Sequence, residues 1–176
     1  MKFFKVIVAL ILISSASNAQ EVFDLAYNAA GMAEIERLFK EKVKPGGEMV
    51  FTRVPRGLII SIDENVFFKP GHEKIRCGGL EVLDEIAGVL HQSDKSCVIE
   101  GHTESANPEI SSYKNNWELS LARANNITMY LMRCSKVSPE RLFPIGYGDF
   151  VPFMDRDKKE MDNRIDFVII DYETSR

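Results

Sequence analysis

Between Leu58 and Ile170 the sequence alternates short apolar runs with segments of helical period, and that alternation leaves the chain few folds to choose from. LIISI at 58–62, CVIEG at 97–101, RLFPIGYG at 141–148 and IDFVII at 165–170 have the length and the β-branched or aromatic content of strands. After the turn KPGH, apolar positions 80, 83, 86, 87 and 90 follow the 3–4 spacing of an amphipathic helix, with Gly78 and Gly79 marking or fraying its first turn. A second helix is expected from Asn115, with Glu118 three residues later in a capping-box arrangement. Pro144 argues that its strand is an edge or ends there, since proline cannot donate to a sheet ladder. Helices on one side of a small mixed sheet bury both kinds of apolar face, so the expectation is a two-layer α/β sandwich.

Upstream, residues 20–44 read as a helix with one imperfect apolar face, closed by KPGG. EMVFTRV alternates weakly, as an edge strand would. The first nineteen residues are of another kind. MKFFK supplies two lysines, VIVALILI a compact apolar run, and SSASNA a small-residue tail with Ser17 and Ala19 at cleavage positions. The run is far short of the ~20 residues of a spanning helix. A secretory signal peptide over 1–19 is expected, then a helix and linker over 20–47, then one domain over 48–176. With no cysteine behind the apolar run, a lipoprotein anchor is not expected.

Charge narrows the partners. The net charge is −4, and removing Lys2 and Lys5 from the 22 basic residues leaves 20 against 26 acidic ones. Nothing in that balance invites nucleic acid or an anionic membrane surface. Cys77, Cys97 and Cys134 are odd in number and lack a CxxC pair, so one disulfide with a free thiol and three thiols both remain open. His72, His91 and His102 do not stand at zinc-ligand spacing with them, and neither a metal nor a cofactor is expected.

The sharpest feature is Arg123. On a helix over 115–134, Leu119, Ile127, Leu131 and Cys134 form the core stripe. Arg123 lies four residues from both Leu119 and Ile127, in that stripe or at its edge. An unpaired buried guanidinium would cost several kcal/mol, so an anion must meet it. Internal carboxylates at Glu100 or Glu104 can supply that anion, and so can an acidic group on a ligand. Glu104 falls where the second strand ends, and Asn116 and Ser120 add hydrogen-bonding groups at the same end of the helix. A carboxylate beside an arginine suits a zwitterion, the head group of an amino acid.

The series VIEGHTE, NNWELSLARANNI and RLFPIGYGD, opened by GLIISIDENVFFKPG and closed by MDNRIDFVII, resembles the OmpA-like peptidoglycan-binding domain. That domain is shared by the C-terminal parts of OmpA, Pal and MotB. The match runs in order over roughly residues 58–171, and NWELS leans towards the MotB branch. The resemblance implies a βαβαβ(α)β sandwich that holds the stem peptide of peptidoglycan without catalysis. It implies that Glu104 contacts the amine of meso-diaminopimelate and Arg123 its carboxylate. Thr103, Asn116, Leu119 and Ser120 occupy surrounding motif positions, and Phe68 sits in a turn bordering the pocket. Glu104 stands where the family has Asp, Lys69 where many members have Asp, and Asp162-Asn163-Arg164 where the closing motif is usually NRR.

The expected partner is therefore peptidoglycan, reached in the periplasm or cell envelope after export, with outer-membrane association in keeping. The helix over 20–44 is left to dock on the domain, to pair two copies as a homodimer, or to recruit an outer-membrane or other envelope protein. A run of membrane helix or barrel strands is not seen, so neither proton conduction nor a pore is expected. Two further readings stay open: a degenerate domain that binds protein, and a wall hydrolase with Glu104 as its acid. His102 lacks triad partners in the sequence and reads as a packed strand-end residue. Trp117 and Tyr113 read as packing residues at the helix start.

Overall fold

A computed structural model describes residues 30–104, 112–154 and 161–171 of the chain. The expected signal peptide, the first part of the expected 20–44 helix, most of the loop after Glu104 and most of the DRDKKE loop lie outside the described residues. The chain divides into two units, Met1–Glu34 and Ile35–Arg176. Of the first unit, only residues 30–34 are described; the described residues 30–42 are helical (α1).

In the second unit, β1 (Met49–Val54) and β2 (Gly57–Asp63) form a hairpin. They are followed by helix α2 (Cys77–Leu90), β3 (Cys97–His102), helix α3 (Asn116–Arg133), β4 (Leu142–Gly148) and β5 (Arg164–Ile170). The sheet order is β1-β2-β5-β3-β4, antiparallel except for the β3–β4 pair. This is the expected mixed α/β sandwich, with the weakly alternating EMVFTRV as an added edge strand. Pro144 lies on the opposite edge, where its missing N–H breaks no ladder.

Register separates the faces. Phe51, Ile60, Phe167, Ile99 and Pro144 stand in one row across all five strands. In its centre Ile60, Phe167 and Ile99 are fully buried beneath the helices. The adjacent row points the other way and runs Val50, Ser61, Asp166, Glu100, Ile145, so its middle is charged.

Local chemistry fixes the ends of α3. Asn115 caps it by accepting from the Glu118 N–H at 2.8 Å, as expected. The return bond differs from a capping box, because Glu118 accepts from the Lys114 N–H rather than from the cap residue's own. Leu119, Ile127 and Leu131 are buried as expected, but Cys134 is the exposed C-cap, one residue past the helix. All three cysteines are free thiols, and burial pushes the Cys97 thiol up to about 12.

Why α3 sits so close to the sheet is legible in two glycines. A Cβ on Gly101 would stand 2.3 Å from the Ser120 carbonyl oxygen, and one on Gly146 2.5 Å from the Leu121 nitrogen. The GHT and GYG motifs therefore lower the helix backbone onto β3 and β4. That contact brings Arg123 to the end of β3.

Candidate functional site

Arg123 is fully buried, within the core stripe rather than at its margin. Its anion is Glu64, at 3% exposure, in the short 3₁₀ turn Glu64–Val66 that follows β2. Neither carboxylate considered from the sequence meets it. Glu100 is bound through both oxygens by Arg56, at 2.8 and 3.0 Å, on the far face of the sheet. Glu104 is exposed, and among the described residues its carboxylate has no partner. The signal for Glu64 was an acid at the end of an apolar strand, and it pointed to no particular arginine.

Among the described residues, Arg123 also donates to main-chain carbonyls and to one hydroxyl. Nε gives a bond to the His72 carbonyl at 2.9 Å, Nη2 to that of Lys69 at 3.3 Å, and Nη1 to Thr103 Oγ1 at 2.8 Å. The guanidinium carbon lies 5.1 Å from the centre of the buried Phe68 ring. Burial pulls the guanidinium below its ordinary pKa, and the Glu64 charge and hydrogen bond oppose that shift. The turn it grips is KPGH. The His72 N–H bonds the Lys69 carbonyl at 3.0 Å, Pro70 supplies the second position, and Gly71 has φ +73° at the third, the pattern of a type II turn.

Across the guanidinium from that turn, Asn163 organises the end of β3. Its Oδ1 accepts from the Glu104 N–H at 2.7 Å and lies 3.3 Å from the Thr103 hydroxyl, while its carbonyl accepts from the Glu64 N–H at 3.1 Å. The altered closing motif therefore has a structural use: Asn163 ties both strand ends together. Its neighbour Asp162 accepts from the Phe153 N–H at 2.6 Å.

The seven residues picked from the sequence divide by exposure. Glu104 is exposed and Asn116 partly so. Phe68, Thr103, Leu119, Ser120 and Arg123 are buried. Thr103 and Phe68 touch Arg123 directly. Leu119 belongs to the core, and Ser120 joins α3 to the end of β4 by accepting from the Gly148 N–H at 2.9 Å. Trp117, expected to pack, is half exposed and lines an open recess with Lys114, Asn116, Asp149 and Phe150.

A second charged cluster occupies the outer face. His102 stacks on Tyr147, and its Nε2 lies 3.2 Å from Asp166 Oδ2. Arg164 Nε holds the same carboxylate at 3.1 Å. Burial alone would raise the Asp166 pKa, but the neighbouring His102 and the Arg164 charge outweigh it and leave the value lowered. Among the described residues, Glu100, His102 and Asp166 form the one group spaced to hold a metal. Arg56 and Arg164 already bind its two carboxylates, so a cation there would sit between guanidiniums.

Comparison with known proteins agrees with this geometry. The sequence profile described as OmpA family matches residues 67–165. The uncharacterized protein YtxE of Bacillus subtilis (strain 168) is 32% identical over 125 residues, covering 69% of this chain and 52% of its own length. Motility protein B of the same organism is 28% identical over 121 residues, covering 68% and 46%. The chain thus spans about half the length of these curated relatives. Among solved structures, the cell wall anchor of the T6SS from Pseudomonas aeruginosa superposes with a TM-score of 0.65 at 18% identity, covering 77% of this chain and 96% of that one.

Proposed function

The chain belongs to the OmpA family, and from that premise we propose that its folded unit binds the stem peptide of peptidoglycan and anchors the exported protein to the cell wall. The binding surface is the end of β3 and the KPGH turn, joined by Arg123. A diaminopimelate-type residue with a free ammonium and a free carboxylate is the ligand chemistry this surface suits, with Glu104 receiving the ammonium. The observation that carries the reading is the convergence of Phe68, Thr103 and Arg123, all at family-motif positions, around one buried guanidinium. The similarity to a wall anchor and to a motility protein supports the same role.

Binding without catalysis also fits the carboxylates. Both Glu100 oxygens are taken by Arg56, so Glu100 and Glu104 do not form the free acid–base pair that glycoside hydrolysis uses. Location in the periplasm or envelope, beside the outer membrane, belongs to this proposal, as do cleavage after Ala19 and an envelope partner or second copy for the helix over 20–44.

A second reading has one observation in its favour. Arg123 already has an internal anion in Glu64, as a domain that kept the fold and now binds only protein would have. Co-sedimentation of the purified chain with peptidoglycan sacculi separates the two. The wall-binding reading expects the chain in the pellet and Glu104→Gln at least partly in the supernatant. A parent chain that stays in the supernatant supports the protein-binding reading.

A further inference from the structure

We propose that the recess between the start of α3 and the end of β4 is a saccharide subsite, in which Trp117 and Phe150 carry the N-acetylated sugars to which a peptidoglycan stem is joined. The inference rests on the peptidoglycan-binding reading and adds the glycan to the peptide as a recognised part of one ligand.

The first support is the make-up of the recess. It offers a volume of about 550 Å³ and is lined by Lys114, Asn115, Asn116, Trp117, Asp149 and Phe150. Two aromatic rings thus meet two amides and one charge of each sign. Trp117 is 50% exposed and Phe150 78%, although both are large apolar side chains. Among the described residues the Trp117 indole N–H, the Lys114 ammonium and the Asp149 carboxylate have no partner. A pyranose ring offers the matching mixture, apolar C–H faces edged by hydroxyls, and an N-acetyl group adds an amide. A wholly apolar partner would instead desolvate both charges without replacing their hydrogen bonds. An anionic lipid surface is disfavoured by Asp149 and by the chain's net charge of −4.

The second support is that both rings stand on fixed main chain. Gly148, with φ +56°, turns the chain after β4 so that Asp149 and Phe150 emerge beside the start of α3. A Cβ at Gly148 would stand 2.9 Å from the Trp117 nitrogen, so the two backbones touch. The Gly148 N–H donates to Ser120 Oγ at 2.9 Å, and the Phe150 N–H donates to the Tyr147 carbonyl at 3.2 Å. On the helix side, Asn115 accepts from the Glu118 N–H, and Glu118 accepts from the Lys114 N–H. A platform held before the ligand arrives lowers the ordering cost of binding.

The third support is position. The Gly148 carbonyl accepts from the Thr103 N–H at 3.0 Å, so the recess adjoins the end of β3. Neighbouring strands lie ~4.8 Å apart. In peptidoglycan the stem peptide hangs from a sugar, and two extended residues cover about 7 Å. Two residues of stem are therefore long enough to bridge the two strand ends. With the diamino acid at the end of β3, the sugars come to lie over Trp117.

Trp117 is the chain's single tryptophan, so its emission reports on the recess alone. The test titrates the full chain, by calorimetry and by fluorescence, with a disaccharide–tetrapeptide muropeptide and with the same tetrapeptide freed of its sugars. The muropeptide should bind about tenfold more tightly than the free peptide, the scale of one aromatic contact. It should also shift the emission to shorter wavelength, which the free peptide should not. Trp117→Ala and Phe150→Ala, each folded by its amide spectrum, should lose the preference for the muropeptide while binding the free peptide as the parent does. If the parent binds the two ligands equally, or if its emission stays still when the muropeptide binds, the saccharide assignment is overturned while the wall-binding reading survives. If the parent binds neither, both fall together.

Discussion

The folded unit buries two charge clusters, and they are tied to the fold in opposite ways. Arg123 reaches across elements: it takes a carboxylate from the turn after β2, a hydroxyl from the end of β3, and carbonyls from the KPGH turn. The cluster of Arg56, Glu100, His102, Arg164 and Asp166 stays largely within the sheet, where Glu100 and Asp166 stand directly opposite on β3 and β5. Two like charges so placed repel, and the surrounding basic groups offset that repulsion. The first cluster positions loops and the second staples strands. A buried ion pair becomes a site organiser when its remaining donors go to loop main chain whose own side chains are free.

The largest expected effect breaks the first cluster. Arg123→Ala removes the ion pair with buried Glu64 and releases the KPGH turn, and should cost about 3–5 kcal/mol of stability. Arg56→Ala removes a partner whose side chain is 38% exposed, and should cost about 1–2 kcal/mol. Denaturant unfolding of both variants checks the order, and equal losses would erase the distinction between the clusters. Replacing Arg123 and Glu64 together by apolar residues of similar volume should recover much of the stability, since buried pairs often add little net. It should not recover wall binding.

A smaller effect sharpens the comparison by pH. Asp166 has a folded-state pKa below its ordinary value, so the stability it contributes is fully present above the ordinary carboxylate value of ~3.9. That contribution fades as pH falls through the lower folded value, because the unfolded chain binds the proton more readily. Unfolding followed from pH 6 to pH 2 should therefore show a loss in the acid range that is reduced in Asp166→Asn. An unchanged acid limb in that variant would mean that Asp166 does not govern it.

Much of this architecture was legible because periodicity reports burial. The strand–helix alternation yielded the layers, Pro144 marked an edge, and Asn115 marked where α3 begins. Arg123 stood out as a charge in an apolar stripe. What stayed hidden was its partner, since Glu64 lies 59 residues away and sequence spacing carries no information about contacts between distant segments. Asn163 was visible only as a departure from a motif, and its bonds to Glu104, Thr103 and Glu64 depend on the closing of the sheet. Trp117 was misjudged for a related reason. Its place in the first turn of α3 suggested packing, and its main chain does lie against Gly148, but the indole itself is half in solvent.

The most direct test of the wall-binding account is an NMR titration of the isotopically labelled chain with a soluble muropeptide containing meso-diaminopimelate. The account predicts concentration-dependent shifts at the amides of Lys69, Thr103 and Glu104, with the muropeptide recovered uncut. Shifts confined to the outer sheet face, or cleavage of the muropeptide, would contradict it.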